Sequence, residues 1–171
     1  MELWDLYDKN RRPTCETVER GRPIPAGRYH IVAHVVVFDN QGRMLIQQRQ
    51  PFKEGWPNLW DITAGGSALA GESSTQAAQR ELREEVGLDV DLTGEPPRLT
   101  IFYGECFDDV YVVTREVDPA SLKLQYEEVQ AVRWATEAEV LAMLEKGTFI
   151  QYHRGYLELL FRLRTQRGVL R

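Results

Sequence analysis

Only two of the 171 residues are cysteine, Cys15 and Cys106, and they stand far apart with no C-x-x-C spacing. That excludes a disulfide scaffold and a cysteine zinc site, and it makes a reducing cytoplasm the expected compartment. Long apolar runs are missing as well. The longest stretch, Ile31 to Phe38, is interrupted by His34 and falls far short of the roughly 20 residues that a membrane span needs. The first residues, Met1-Glu2-Leu3-Trp4-Asp5, are acidic where a signal peptide would be basic and then apolar, so export is not expected. Positive charge is in deficit: 21 Lys and Arg face 26 Asp and Glu, a net charge of −5. Such a balance speaks against a general nucleic-acid coat or an anionic-membrane binder. An acidic chain can still hold phosphates through a metal ion.

What remains is an ordinary globular composition, 43% apolar and 27% charged, with no internal repeat or low-complexity segment. It reads as one domain over 1–171: an N-terminal strand and loop to residue 28, a core over 29–146, and a C-terminal helix over 147–171. Strands are expected at Leu3–Tyr7, at His30–Phe38 and Arg43–Gln48, and at Leu59–Ala64 running into Gly65-Gly66. Asp39-Asn40-Gln41-Gly42 between the second and third marks them as an antiparallel hairpin. Further strands are expected at Leu99–Tyr103, Val110–Val117 and Val129–Trp134, with Gly21–Gly27, Glu95-Pro96-Pro97 and Glu105–Asp109 as loops or breaks. The spacing predicts a helix over Ser73–Val86, opened by a capping box, Ser73-x-x-Gln76, and stopped at Gly87. Its apolar stripe is Thr75, Ala78, Leu82 and Val86. Two more helices are expected over Thr136–Lys146 and His153–Arg164. The order of elements suggests an α/β protein, a mixed sheet with helices packed on it.

On the first helix Glu81, Glu84 and Glu85 fall within an arc of about 100°. Like charges at these spacings repel, more so when partly desolvated, and the crowding should raise their pKa values. Arg80 can offset part of this and can reach Glu72. A hard divalent cation, Mg²⁺ or Mn²⁺, better matches three clustered oxygen donors. The surrounding residues fit a longer pattern, G-x5-E-x7-R-E-U-x-E-E-x-G-U with U apolar. Gly66, Glu72, Arg80, Glu81, Leu82, Glu84, Glu85, Gly87 and Leu88 fill every specified position. At about 6% per specified residue, a chance match is rarer than roughly one in a million.

This pattern is the Nudix box, and the chain resembles the Nudix hydrolase family. The resemblance implies an α/β/α sandwich with helices on both faces of the sheet, and hydrolysis of a nucleoside diphosphate linked to another moiety. By position it makes Glu81, Glu84 and Glu85 metal ligands, adds the carbonyl of Gly66, and pairs Glu72 with Arg80 in a structural salt bridge. Many members use a further Glu about six residues before a Trp; here Glu128 precedes Trp134 by that spacing. Glu84 or Glu85 is the candidate to contact the nucleophilic water. Glu105, Asp108, Asp109 and Glu127 are rivals that read individually as solvated loop acids. Homodimers are frequent in this family.

Outside the box, LWDLYD, YHIVAHVVVFDNQGRMLIQQR and GWPNLWD are similar to relatives that include isopentenyl-diphosphate isomerase. In those isomerases a catalytic Cys precedes the first box glycine and a metal-binding His follows it; here Gly65 and Ser67 stand there. Hydrolase is therefore the leading reading, with an isomerase and a nucleotide-sensing binding module as rivals. His30 matches an isomerase metal histidine, yet His30 and His34 on one strand stand about 13 Å apart, too far to share an ion. Both read as histidines satisfied by neighbours, and His153 has no visible partner. Arg49 and Lys53 are candidates to hold substrate phosphates. Phe52, Trp56, Trp60, Tyr103 and Phe107 are aromatics near loops, of which Trp60 and Tyr103 read as core. At the C-terminus Arg154, Arg162, Arg164, Arg167 and Arg171 outnumber Glu158 on a helix striped by Tyr156, Leu159, Leu160 and Leu163. That reads as an amphipathic helix packed on the domain with a solvated basic face.

Overall fold

A computed structural model describes residues 2–165; Arg167 and Arg171 lie outside the described residues. In chain order the elements are β1 (Leu3–Tyr7), β2 (Pro13–Glu19), β3 (His30–Phe38), β4 (Met44–Arg49), β5 (Trp60–Asp61), β6 (Ala64–Ser67), α1 (Ser74–Val86), β7 (Leu99–Tyr103), β8 (Cys106–Thr114), β9 (Val129–Ala135), α2 (Glu137–Glu145) and α3 (Arg154–Leu163). β3 is the spine. Its β-branched run is buried on both faces, as a central strand requires: Ile31, Ala33, Val35 and Val37 on one side, Val36 and Phe38 on the other. It pairs parallel with β8 and antiparallel with β6.

The expected β3–β4 hairpin opens immediately. The two strands share one residue pair, Phe38 with Met44, after which β4 pairs with β5 and β9 instead. The expected strand over Leu59–Ala64 is likewise split, β5 joining β4 and β6 joining β3. Thr63, fully buried between them, closes the fork: its hydroxyl donates to Leu45 O at 2.5 Å and accepts from Val37 N at 2.9 Å. One side chain thus satisfies backbone groups that a continuous ladder would have paired. Below this point the sheet divides into two sets of strands, β7-β8-β3-β6 and β9-β4-β5.

Two other expectations are corrected. β8 begins at Cys106, so Asp108 and Asp109 are in a strand rather than a break, and it ends at Thr114 rather than Val117. A strand not anticipated, β2, pairs antiparallel with β1, Trp4 opposite Val18. Proline is tolerated there because Pro13 is the first residue of an edge strand.

α1 forms where the caps demand it. Ser73 Oγ accepts from Gln76 N at 3.2 Å and the Gln76 side chain accepts from Ser73 N at 2.8 Å. Gly87 ends the helix in the left-handed region, φ 71°. A Cβ on it would lie 2.8 Å from Lys123 O, so the missing side chain also lets the 122–128 loop press against the helix end. Ala77, Ala78, Leu82 and Val86 bury against the odd-numbered face of β3, full burial of Leu82 or Val86 contributing about 1.5–3 kcal/mol each. α2 and α3 cover the opposite face through Val140, Leu157, Leu160 and Phe161, packed on Val36, Phe38, Met44 and Ile46. The sheet is mixed, with helices on both faces. Arg154 and Arg162 on the outer side of α3 pair with Glu145, Glu158 and Glu137. No helix among the described residues is long and apolar enough to cross a membrane.

Candidate active site

The carboxylates of α1 meet the fork in the sheet. Glu85 is only 4% exposed, and its carboxylate accepts from Gln47 Nε2 on β4 at 2.9 Å and from Gly65 N on β6 at 3.3 Å. Both donors are neutral. Burial, reinforced by the charge of Glu81, pushes the Glu85 carboxyl well above the usual carboxylate range. Glu81 is also raised by burial, against the pull of Arg80. Desolvation, rather than the crowding expected from the sequence, leads in both.

Arg80 sits at the centre of the acidic face. Its guanidinium donates to Glu72 at 2.9 and 3.0 Å, to Glu81 at 2.7 Å, to Glu84 at 3.2 Å and to Ser67 O at 3.1 Å. The Glu72–Arg80 pair is therefore in place, and Arg80 outweighs burial to hold the Glu72 carboxyl below its usual range. Glu84 remains 51% exposed. Glu128 approaches from the loop before β9 and pairs with Lys53 Nζ at 2.6 Å. Arg49, at the end of β4, donates its Nε–H to Gly55 O at 2.9 Å.

The two glycines of β6 differ in what they accommodate. A Cβ on Gly66 would overlap the Glu81 carboxylate, so its backbone lies directly against a site acid; a Cβ on Gly65 would overlap the His34 ring. Gly66, Glu81, Glu84, Glu85, Glu128, Arg80, Arg49 and Lys53 all line one cavity of about 280 Å³. Among the described residues no three His, Cys, Asp or Glu side chains already converge on one point; Glu81, Glu128 and Glu85 are instead bonded to Arg80, Lys53 and Gln47. The cavity wall also contains Glu2, Trp4, Arg20 and Gln125, which sequence reasoning missed, as it missed Gln47. Nothing in their local pattern marks them; the β1–β2 hairpin and the turn before β9 bring them in.

The remaining candidates lie elsewhere. Asp108 and Asp109 are buried, not solvated. Asp108 bonds His34 Nδ1 at 2.7 Å, and Asp109 is paired with Arg11 and accepts from Thr100 at 2.7 Å. Against the cost of burial, Arg11 holds the Asp109 carboxyl low. His30 stacks on Trp4, ring centroids 4.4 Å apart, and His153 caps α3, accepting from Gly155 N at 3.2 Å. Glu105 and Glu127 are exposed. Tyr103, expected in the core, is exposed, whereas Phe107 is buried.

Residues 28–158 match the family model of the NUDIX domain. A Nudix hydrolase of Listeria monocytogenes is 45% identical over 164 residues, covering 96% of both chains. An isopentenyl-diphosphate Delta-isomerase of Streptomyces coelicolor is 32% identical, covering 86% of this chain and 77% of its own. The solved structure of DR0079 from Deinococcus radiodurans superposes with a TM-score of 0.74 at 24% identity, over 95% of this chain and 99% of that one. With a matched domain, a full-length hydrolase relative and the same fold, the chain belongs to the Nudix hydrolase family.

Proposed function

We propose that the protein is a cytoplasmic hydrolase, dependent on Mg²⁺ or Mn²⁺, that cuts the diphosphate bond of a nucleoside diphosphate linked to another moiety. The observation that carries this reading is Glu85: a buried carboxylate with neutral donors, facing a cavity shared with Glu81, Glu84 and Glu128. A carboxylate desolvated without a cation costs stability, and an all-oxygen donor set is what a hard divalent ion takes. The residues fit that ion, with Glu81, Glu84, Glu85, Glu128 and the Gly66 carbonyl as its holders. A bound divalent ion supplies charge neutralisation at the phosphoryl group and a more acidic water.

The chain's own groups do the rest. Arg49 and Lys53 grip phosphate oxygens, Lys53 leaving Glu128 to do so. Glu84 and Glu85 orient the attacking water, and the Glu72–Arg80 pair fixes the loop and helix on which the acids ride. The unpaired cysteines, Cys15 exposed and Cys106 buried, suit a reducing compartment. The test is incubation with Mg²⁺ and a panel of nucleoside diphosphate sugars, dinucleoside polyphosphates, nucleotide coenzymes, nucleoside di- and triphosphates and isopentenyl diphosphate, with products read by mass spectrometry and proton NMR. Cleavage that disappears in Glu85→Gln is expected. Isomerisation of isopentenyl diphosphate without hydrolysis, or cleavage unchanged in that variant, would overturn the assignment.

A further inference from the structure

The carboxylate cavity does not end at Lys53. A second chamber of about 480 Å³ adjoins it, and the two have Arg20, Arg49, Lys53 and Glu128 in common. Chemistry changes along this trough: Glu81, Glu84 and Glu85 at the inner end, Arg20, Arg49 and Lys53 beside Glu128 in the shared wall, and Phe52 between Glu54 and Glu127 at the outer mouth, with Tyr126 against Phe52. Phe52 is 57% exposed and Tyr126 is 71% exposed, yet the two rings touch, with centroids 5.8 Å apart. Single exposed apolar side chains are ordinary, but a touching aromatic pair at the rim of a charged chamber is a binding feature.

Arg20 directly follows β2, its N–H donating to Glu2 O beside β1, and lies outside the segment matched to the family domain. The hairpin is tied to the loop before α1, where Ala70 N donates to Leu3 O and Gly71 N donates to Asp5 Oδ2, both at 2.7 Å. Arg20 is thereby held at the junction of the chambers, donating to Glu2 at 2.8 Å. Its position suits a phosphate between the inner acids and the outer rings.

We propose that the outer chamber takes the nucleoside end of the substrate, its base laid against the Phe52–Tyr126 wall and its phosphate held by Arg20 and Arg49. This rests on the hydrolase reading and adds the direction in which the substrate lies. The rings touch at an inclination of 43°, so a planar group can stack on one of them while its edge meets the other. An isoprenoid chain would call for an enclosed apolar channel; an open, polar mouth of mixed charge with an aromatic wall suits a flat group that keeps its other face in water.

Calorimetric binding of α,β-methylene-ADP and of methylenediphosphonate, both with Mg²⁺, tests the proposal, because the two probes share an uncleavable diphosphate and differ in the nucleoside. The nucleotide analogue should bind about tenfold or more tightly. Phe52→Leu/Tyr126→Leu, at exposed positions, should abolish that preference and leave methylenediphosphonate binding unchanged, while Arg20→Gln should weaken both probes by similar factors. Equal affinities in the unmodified protein, a preference that survives the double substitution, or no binding of the nucleotide analogue would overturn it. A preference lost in the double variant without any hydrolysis in the panel would sink the hydrolase reading alone; hydrolysis without the preference would sink only the subsite.

Discussion

Glu84-Glu85 and Asp108-Asp109 are both acidic pairs in the sequence, and each puts carboxylate into the core: Glu85 on α1, and both aspartates on β8. Their surroundings differ. Asp109 has Arg11 and Thr100, and Asp108 has His34; Glu85 has an amide side chain and a backbone N–H. The β8 pair is neutralised within the fold and serves it. On α1, Glu85 is desolvated without a counter-ion, an arrangement that costs folding energy and leaves an unneutralised carboxylate facing a cavity. A buried acid is thus distinguished as structural or functional by its partners, not by its burial.

The sharpest way to break this contrast is Glu85→Gln against Asp109→Ala. The first should lower hydrolysis of a good substrate by about 10²-fold or more while the protein stays folded, read by steady-state kinetics and circular dichroism. The second should lower stability by about 2 kcal/mol, since it strips Arg11 and Thr100 of a charged partner, read by urea unfolding. Equal stability losses in both would erase the distinction.

Acidity separates the two more finely. Glu85 is raised in the folded state, so folding takes up a proton there, and its destabilising effect, present at neutral pH, is relieved as pH falls through the raised value. With divalent ions chelated, Glu85→Gln should therefore gain about 1 kcal/mol at pH 8, a gain that shrinks towards the ordinary carboxylate range. Asp109 is depressed, so its contribution persists above the ordinary aspartate value and disappears as pH falls through its lowered one. Thermal melts of the two variants across pH 4–8 should diverge accordingly. The smallest effect belongs to Lys53→Met. Glu128 is a quarter exposed, so losing its lysine should change stability by less than about 1 kcal/mol, with a several-fold rise in KM marking the lost phosphate contact.

Much of α1 was legible because its information is local. Ser73, Gln76 and Gly87 act within a few residues of themselves, and the spacing of Glu81, Glu84 and Glu85 is helix geometry. What the sequence hid depends on distant partners. Asp108 and Asp109 look like a break until His34 and Arg11, 74 and 98 residues away, make their burial affordable. The β3–β4 segment has every mark of a hairpin, but β6 takes the edge of β3 that β4 would have filled and Thr63 takes over the lost pairing. Arg20 and Trp4 reach the cavity only because a hairpin carries them there.

Gly87 carries a consequence beyond ending α1. Its bare α-carbon sets the distance between the helix bearing Glu85 and the loop bearing Tyr126 and Glu128, and Gln125 N fastens that loop to Glu85 O at 3.0 Å. Tyr126 and Glu128 therefore take their height above the acidic face from a glycine that touches neither of them, and a side chain added at position 87 would be felt at the cavity wall.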